Sequence, residues 1–277
     1  MKDTVLVFAK KNEPSATKAV KDLMGWLKKK KIKTLDVTNS EEKIEARSLV
    51  NVRLGLVIGG DGSFLTLVRR LEEKDLFPIM GINLGTLGFI TEVSPDQMFE
   101  AVEKALEGAY REERRRLIAV DLIRKDRIIQ SGTVFNDAVI TKEARTTMLK
   151  LEVFVDSTLL SRVRADGYIV SSPTGSTGYA LSAGGSLIHP GVSAMLLIPI
   201  CSHSLSARPI LVPKDCRVEV VVQAFDGHAY LVFDGQINYE LKARDRIQIT
   251  GSRFSLRVVR LPEKSWFEVL RVKLEMR

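Results

Sequence analysis

The first hundred residues alternate between short apolar, β-branched segments and segments with helical spacing. The segments TVLVFAK, LGLVIGG and FPIMGINLG predict buried strands, whereas residues 14–31, SFLTLVRRLEE and residues 95–106 predict helices. Strands separated by helices indicate βαβ units, with a parallel sheet that carries helices on its faces. Residues 1–115 are therefore predicted to form a Rossmann-like α/β domain.

From about Arg116 the pattern changes to long strand-like segments that alternate apolar and polar residues. Residues 116–259 are therefore predicted to form an antiparallel, β-rich, sandwich-like domain. The amphipathic segment of about 260–277 is expected to pack back on the first domain. Turn signals separate the strands at Lys125-Asp126, Asp156-Ser157 and Asp226-Gly227.

Composition excludes several classes of protein. With 45% hydrophobic and 27% charged residues among 277, the chain is neither disordered nor of low complexity. Two cysteines, Cys201 and Cys216, and three histidines supply neither a disulfide framework nor a zinc site. No apolar stretch approaches the roughly 18 to 20 residues that span a bilayer, and no signal-peptide core is visible. We expect a cytoplasmic protein without a membrane partner.

The net charge of +8 raises the alternative of nucleic-acid binding. The basic runs, Lys28–Lys31 and Arg114–Arg116, lie beside acids or at a predicted helix end, where cations complement the helix dipole. This distribution favours a solvated surface over a nucleic-acid partner. A positive field also attracts a small polyanion such as a nucleotide.

A GGDG motif, residues 59–62, follows a predicted strand and precedes a helix, at the sheet edge where open α/β folds bind ligands. Glycines there let backbone N–H groups approach a phosphate. Because a carboxylate repels phosphate, Asp61 is better explained as a base or metal-organising group; the alternative is a tight turn in which Asp61 caps the helix. Walker A and GxGxxG sequences are absent, which disfavours P-loop NTPases and standard dinucleotide folds.

Two further loops and two strand ends carry polar groups. NLGTLGF at 83–89 follows a strand and can lie beside the first loop, and SSPTGSTGY at 171–179 follows the strand that ends at Val170. The composition of segment 171–179 is typical of a linker, but its place between a strand and the apolar Ala180 and Leu181 favours an ordered loop. Its hydroxyls and N–H groups could bind a base or ribose, with Tyr179 stacking on a ring. Asn136-Asp137 and Asp166-Gly167 are either turn residues or ligands.

Together, GGDG, NLGTLGF, FND at 135–137 and PTGSTGY at 173–179 resemble, in order, the motifs of the NAD kinase family. The resemblance implies transfer of the terminal phosphoryl group of ATP, or of polyphosphate, to the 2′-hydroxyl of the adenosine ribose of NAD, with Mg²⁺ accompanying the donor. Asp61 would then be the general base, and Gly59, Gly60 and Gly62 would hold the phosphates. Residues that hold the metal are not identified.

The resemblance also implies which residues bind the dinucleotide. Asn136 and Thr177 match positions that contact the adenosine portion, and Asp137 and Asp166 match carboxylates that hold the other ribose. The remaining matches are Arg164, Thr174, Gly178, Tyr179, Ala180, Leu181, Ser182 and Gln236. Gly178 stands where Ala is more common and Asp137 where Glu is frequent, but neither change removes a required group.

Family members are usually oligomers, so a homodimer or homotetramer is expected. Two alternatives remain. One is a lipid or sugar kinase that uses the same GGDG loop, and the other is a non-catalytic dinucleotide sensor. Asp61 argues against the sensor, because a passive phosphate binder has little reason to place a carboxylate inside its loop.

Overall fold

The computed structural model describes residues 3–74, 76–144, 147–204, 206–262 and 265–276. Residues 263, 264 and 277 of the predicted C-terminal segment therefore lie outside the described part. The chain divides into two compact units: unit 1 comprises Met1–Arg114 and Phe254–Arg277, and unit 2 comprises Arg115–Arg253. None of the helices in the described ranges has the length and apolar character needed to cross a membrane.

Unit 1 begins with alternating strands and helices, as the periodicity predicts. Its elements in chain order are β1 (Thr4–Ala9), α1 (Pro14–Lys29), β2 (Lys33–Asp36), β3 (Val52–Ile58), α2 (Asp61–Arg70), β4 (Ile79–Ile82) and α3 (Met98–Glu107). The four strands pair in parallel in the order β2-β1-β3-β4. Apolar residues of α1 and α3 pack on this sheet in one core, for example Leu23 and Val102 with Val5 and Leu56.

Unit 2 is built almost entirely of strands. In chain order the elements are β5 (Arg111–Arg124), β6 (Arg127–Val134), β7 (Asp137–Lys142), β8 (Leu149–Val155), β9 (Thr158–Ala165), β10 (Gly167–Ser171), α4 (Tyr179–Ser182), β11 (Ala194–Ile200), β12 (Ile210–Pro213), β13 (Val218–Ala224), β14 (Ala229–Phe233), β15 (Ile237–Glu240) and β16 (Arg246–Arg260). The last element, α5 (Trp266–Lys273), belongs to unit 1, where the end of β16 also pairs in parallel with β4.

Two antiparallel sheets face each other in unit 2. One has the order β12-β11-β10-β7-β14-β15, and the other contains β16-β13-β8-β9 with the hairpin β5-β6. Ile140 and Leu231 of the first sheet share a core with Leu151 and Val220 of the second. The predicted α/β and antiparallel β-rich classes are thus confirmed.

Sharp hairpins connect the strands of unit 2 where the sequence predicts them. Lys125 and Asp126 have φ angles of 50° and 58°, and Asp156 and Ser157 have 48° and 67°. Positive φ at both central residues matches the right-handed twist of the flanking strands. Short polar residues such as Asp126, Asp156 and Ser157 tolerate this left-handed conformation better than most. The predicted turns at these two places are confirmed.

The strand order of unit 1 determines where a ligand can bind. The chain leaves β1 toward β2 on one side and leaves β3 toward β4 on the other, so a crevice opens at the carboxyl ends of β1 and β3. The GGDG motif follows β3 directly, and NLGTLGF follows β4. Because β3 and β4 are parallel neighbours, the loops that follow them lie at the same edge of the sheet.

Candidate functional site

Asp61 is the first residue of α2, and its carboxylate binds the loop that follows β4. It accepts hydrogen bonds from the backbone N–H groups of Phe89 at 2.8 Å, Ile90 at 3.1 Å and Thr91 at 3.0 Å. The Thr91 hydroxyl adds a fourth at 2.9 Å. No side chain caps the N-terminus of α2. The expected proximity of the two loops is confirmed, whereas the alternative that Asp61 only caps its helix is wrong.

The four hydrogen bonds are unevenly shared between the two carboxylate oxygens of Asp61. Oδ1 accepts three of them, and Oδ2 accepts only the one from Phe89. A carboxylate oxygen has about two lone-pair sites. Oδ1 is therefore saturated, while Oδ2 can accept one further donor, such as a substrate hydroxyl.

The glycines around Asp61 have two different roles. A Cβ atom on Gly88 would lie 2.2 Å from Asp61 Oδ1, and one on Gly59, whose φ is +151°, would lie 2.4 Å from Ser63 Oγ. These two positions need glycine for the loop to close. By contrast, a Cβ on Gly60 or Gly62 would meet nothing within 4 Å. Those two leave open space at a helix N-terminus, which suits an anion.

A second aspartate, Asp234, organises the polar end of β7 in unit 2. It lies in a left-handed turn with φ of 50°. Its Oδ1 accepts backbone N–H groups of Phe135 at 3.1 Å, Asn136 at 2.7 Å and Asp137 at 3.1 Å, and its Oδ2 accepts Phe135 at 2.9 Å. The Asp234 N–H returns a bond to the Asp137 carbonyl at 3.0 Å. Asn136 and Asp137 are thereby held in place.

A cavity of about 370 Å³ opens beside these residues, entirely within unit 2. Burial, and then the charge of Asp234, raises the pKa of Asp137 to about 7. Asn136 Oδ1 is buried and accepts no hydrogen bond from the described residues. Because a buried, unsatisfied acceptor is costly, this atom marks a position for a ligand donor. The cavity is lined by Asn136, Asp137, Val139, Thr141, Tyr179, Val232, Asp234 and Gly235.

The hydroxyl-rich segment 171–179 is ordered, but its buried serines bind the protein itself. Ser172 Oγ donates to the Phe135 carbonyl at 2.6 Å, and Ser171 Oγ donates to the Asn136 carbonyl at 3.2 Å. Ser176 Oγ donates to the Pro173 carbonyl at 2.7 Å. The expectation that this segment is an ordered loop is confirmed. The Ser171 and Ser172 hydroxyls fasten it to the residues just before β7, whereas the Ser176 hydroxyl bonds within the segment and accepts the Ile188 N–H at 3.0 Å.

The structure brings three of the predicted dinucleotide residues to the cavity of unit 2, namely Asn136, Asp137 and Tyr179, whose side chain is half-exposed. Ala180 is fully buried in a core cluster with Val139. Thr177 Oγ1 donates to the Thr174 carbonyl at 3.1 Å.

Other predicted positions lie outside the lining of this cavity. Arg164 is exposed on β9, and Asp166 forms an ion pair with Lys142 at 3.5 Å. Gly178, Leu181 and Ser182 belong to the turn that includes α4, and Gln236 is the last residue of the turn between β14 and β15.

Sequence reasoning missed Asp234 and Thr141. The available signal for Asp234 was the Asp-Gly pair between two strands, which indicates a hairpin turn but carries no information about ligand binding. Within the ranges the structure covers, no group of three or more His, Cys, Asp or Glu side chains could hold a metal ion.

Comparison with known proteins gives a consistent result along the chain. Sequence models of the ATP-NAD kinase N-terminal and C-terminal domains match residues 5–110 and 135–261. The chain is 36% identical over 278 residues to the NAD kinase of Geotalea daltonii, and 36% identical over 277 residues to that of Geobacter metallireducens. Each alignment covers 98% of both chains.

Two solved structures share the fold. A crystal structure of an NAD kinase from Archaeoglobus fulgidus in complex with ATP has a TM-score of 0.79 and 27% identity, covering 98% of each chain. Yeast NADH kinase complexed with NADH has a TM-score of 0.88 at 24% identity, covering 99% of this chain and 88% of that one. At that identity the yeast structure supports the fold alone.

Proposed function

The chain belongs to the NAD kinase family, and we propose that it transfers the terminal phosphoryl group of ATP to the 2′-hydroxyl of the adenosine ribose of NAD, with Asp61 as general base. The observation that carries the residue assignment is the Asp61 carboxylate, which four hydrogen bonds orient while Oδ2 stays able to accept one more. Phosphoryl transfer needs mainly positioning and charge neutralisation, and this carboxylate supplies the positioning of the nucleophile.

In the proposed step, Asp61 Oδ2 takes the proton of the ribose 2′-hydroxyl while the 2′-oxygen attacks the terminal phosphorus of ATP. The bond from that phosphorus to the bridging oxygen breaks, and ADP leaves with the electron pair. The products are NADP, ADP and a proton carried by Asp61, which passes to solvent. A positioned base typically contributes about 10² to 10⁴ in rate.

The donor phosphates are proposed to lie against Gly60 and Gly62, where the protein leaves space at the N-terminus of α2. The positive end of the helix dipole favours the phosphate charge there. Mg²⁺ is proposed to arrive as part of the donor, because it binds mainly to phosphate oxygens with one or two protein carboxylates. When bound, it neutralises charge that develops on the transferred phosphoryl group.

The acceptor is proposed to bind in the cavity of unit 2, whose volume of about 370 Å³ is within the range of small-molecule and cofactor sites. The buried Asn136 Oδ1 can accept a hydrogen bond from the exocyclic amine of adenine, and Tyr179 can stack on a ring. Carboxylates accept hydrogen bonds from ribose hydroxyls, which suits Asp137 and Asp166. Asp137 can also donate when it carries a proton.

We extend the proposal to the setting of the enzyme. Residues 1–115 would supply the phosphate-donor site and 116–259 the NAD site, in a cytoplasmic homodimer or homotetramer. Two free cysteines, Cys201 and Cys216, support a reducing compartment. Light scattering of the purified protein measures the assembly size, and a monomer would contradict this part of the proposal.

The test of the proposed function is NADP formation by the purified protein from NAD, ATP and Mg²⁺, with parallel reactions that contain polyphosphate or NADH. Asp61→Asn keeps an acceptor at one oxygen and removes the base, so turnover should fall about 10²-fold or more while NAD binding persists. The control is Asp22→Asn, at an exposed position of α1.

Three outcomes would contradict parts of this proposal. Equal turnover in wild type and Asp61→Asn would overturn the role of the base. Phosphorylation of diacylglycerol but not NAD would favour the lipid-kinase alternative. NAD binding without any product would favour the sensor.

A further inference from the structure

A second cavity of about 370 Å³ lies in unit 1, at the carboxyl ends of β1 and β2. Its polar lining includes Lys10, Lys11 and Asn12 after β1, and Asp36 and Thr38 at the end of β2. The roles proposed above for Asp61 and for the cavity of unit 2 use none of these residues. This cavity therefore needs its own explanation.

One border of this cavity meets the GGDG loop. The Lys10 N–H donates to the Ile58 carbonyl at 3.0 Å, so Lys10 lies directly beside the end of β3. Lys10 Cβ is 3.3 Å from the position that a Cβ on Gly59 would take. The cavity and the GGDG loop therefore flank the same crevice between β1 and β3, where the strand order reverses and α/β proteins bind nucleotides.

Two lysines give this cavity a positive border. Lys10 Nζ pairs with Glu13 at 3.2 Å, and Lys11 Nζ pairs with Glu41 at 2.9 Å. All four side chains are well exposed, and exposed ion pairs contribute little to stability. A phosphate group, with its higher charge, can therefore compete for Lys10 at small cost.

Asp36 gives the cavity a carboxylate at the end of β2. Its Oδ1 accepts the Thr38 N–H at 2.9 Å, and Thr38 Oγ1 accepts the Ala9 N–H at 3.1 Å, which ties the ends of β1 and β2 together. No residue in the described ranges donates to Asp36 Oδ2. In dinucleotide-binding βαβ folds a carboxylate after the first βα unit accepts a hydrogen bond from a ribose hydroxyl, and Asp36 offers the same kind of acceptor here.

We propose that this cavity binds the nucleoside of the ATP donor, with its ribose hydroxyls on Asp36 and its phosphates passing Lys10 to reach the GGDG loop. The inference rests on the proposed function, because it assigns the cavity of unit 2 to the acceptor. A nucleotide in the unit 1 cavity has its phosphates directed along Lys10 toward Gly59, as a donor requires.

The test is calorimetric titration of the full chain with three probes: Mg²⁺ and AMP-PNP, inorganic tripolyphosphate at fixed free Mg²⁺, and NAD. Asp36→Ala should weaken AMP-PNP binding about 10-fold, because it removes a charged hydrogen-bond acceptor, and leave tripolyphosphate binding unchanged. Lys10→Met should weaken both phosphate probes about 10-fold. No variant should change NAD binding.

Matched controls keep this result specific. Asp22→Ala and Lys21→Met change the same residue types at exposed positions of α1 outside the cavity, and should bind all probes as wild type does. Asp36→Asn retains an acceptor for the Thr38 N–H, so weakened AMP-PNP binding in this variant too separates the ribose contact from loop disruption.

Three results would overturn the inference. The affinity for AMP-PNP could be unchanged in Asp36→Ala, it could equal that of wild type in Asp36→Asn while it falls in Asp36→Ala, or the variants could lose affinity for NAD and not for AMP-PNP. Failure of the proposed function looks different. If the wild type forms no NADP but binds AMP-PNP in a manner that depends on Asp36, the function is wrong and the nucleotide cavity stands. If NADP forms but substitution of Asp36 leaves AMP-PNP binding unchanged, the proposed function stands and the assignment of the nucleotide cavity is wrong.

Discussion

Asp61 in unit 1 and Asp234 in unit 2 show the same arrangement on two unrelated folds. Each carboxylate accepts backbone N–H groups of three consecutive residues, 89–91 for Asp61 and 135–137 for Asp234. In each, Oδ1 accepts three hydrogen bonds, and Oδ2 accepts a backbone N–H, from Phe89 in Asp61 and from Phe135 in Asp234. Asp61 starts a helix, whereas Asp234 lies in a left-handed turn.

The neighbours of these two carboxylates differ, and so does their chemistry. Next to Asp61 lies Gly88, which contributes no side chain, and the carboxylate is bonded by three N–H groups and one hydroxyl. Asp234 lies close enough to the buried Asp137 to raise its pKa, which burial has already raised, to about 7. One arrangement therefore surrounds a carboxylate with hydrogen-bond donors, and the other places a carboxylate beside an acid that keeps its proton near neutrality.

Gly88→Ala tests the first arrangement and should have the largest effect. The added Cβ would lie 2.2 Å from Asp61 Oδ1, and that oxygen cannot shift without losing its hydrogen bonds. NADP formation should fall about 10²-fold or more, the value of a positioned base. Gly85→Ala in the same loop is the control, because the nearest atom to the added Cβ would be Asn83 Oδ1 at 3.9 Å, an ordinary van der Waals contact. Similar activity of the two variants would contradict the prediction.

Asp234→Gly tests the second arrangement. It removes the carboxylate without straining the left-handed backbone, and leaves three N–H groups at the end of β7 without their acceptor. The free energy of unfolding in denaturant should fall by about 3 kcal/mol. Asp156→Gly is the matched control, another left-handed aspartate, which accepts one N–H from Arg217 at an exposed site. An equal loss in both variants would argue against a special role for Asp234.

The raised pKa of Asp137 predicts a pH dependence of stability. Folded Asp137 keeps a proton up to about pH 7, whereas the ordinary pKa of an aspartate is 3.8. The folded state binds more protons than the unfolded state between these two pH values. The contribution of Asp137 to the free energy of unfolding therefore falls as pH rises from about 4 to 7, and then levels off.

Between pH 5 and pH 8, wild type should therefore lose about 2 kcal/mol more than Asp137→Asn, measured by denaturant unfolding at each pH. Asp215→Asn, at an exposed position, should follow wild type. Parallel pH curves for wild type and Asp137→Asn would show that this carboxyl does not hold its proton.

Much of the fold and part of the candidate site could be predicted from the sequence. Helical and alternating periodicities identified both fold classes, because side-chain burial repeats within a few residues along the chain. The turn pair Lys125-Asp126 was recognisable from residue type alone. The GGDG motif marked Asp61. The FND and TGSTGY motifs marked Asn136, Asp137 and Tyr179, and all three of these residues line the cavity of unit 2.

What each of these groups contacts was decided by the tertiary structure. Asp61 meets a loop 28 to 30 residues away, and Asp234 meets residues 97 to 99 positions earlier. The sequence indicated that the loops after β3 and β4 can lie side by side, but it did not indicate these hydrogen bonds or the partners of Asp234, because strand order and sheet packing bring the groups together. For the same reason the serines of segment 171–179 look like ligand groups in sequence. The fold instead uses the Ser171 and Ser172 hydroxyls to fasten that segment to the residues just before β7, and the Ser176 hydroxyl to bond Pro173 within it.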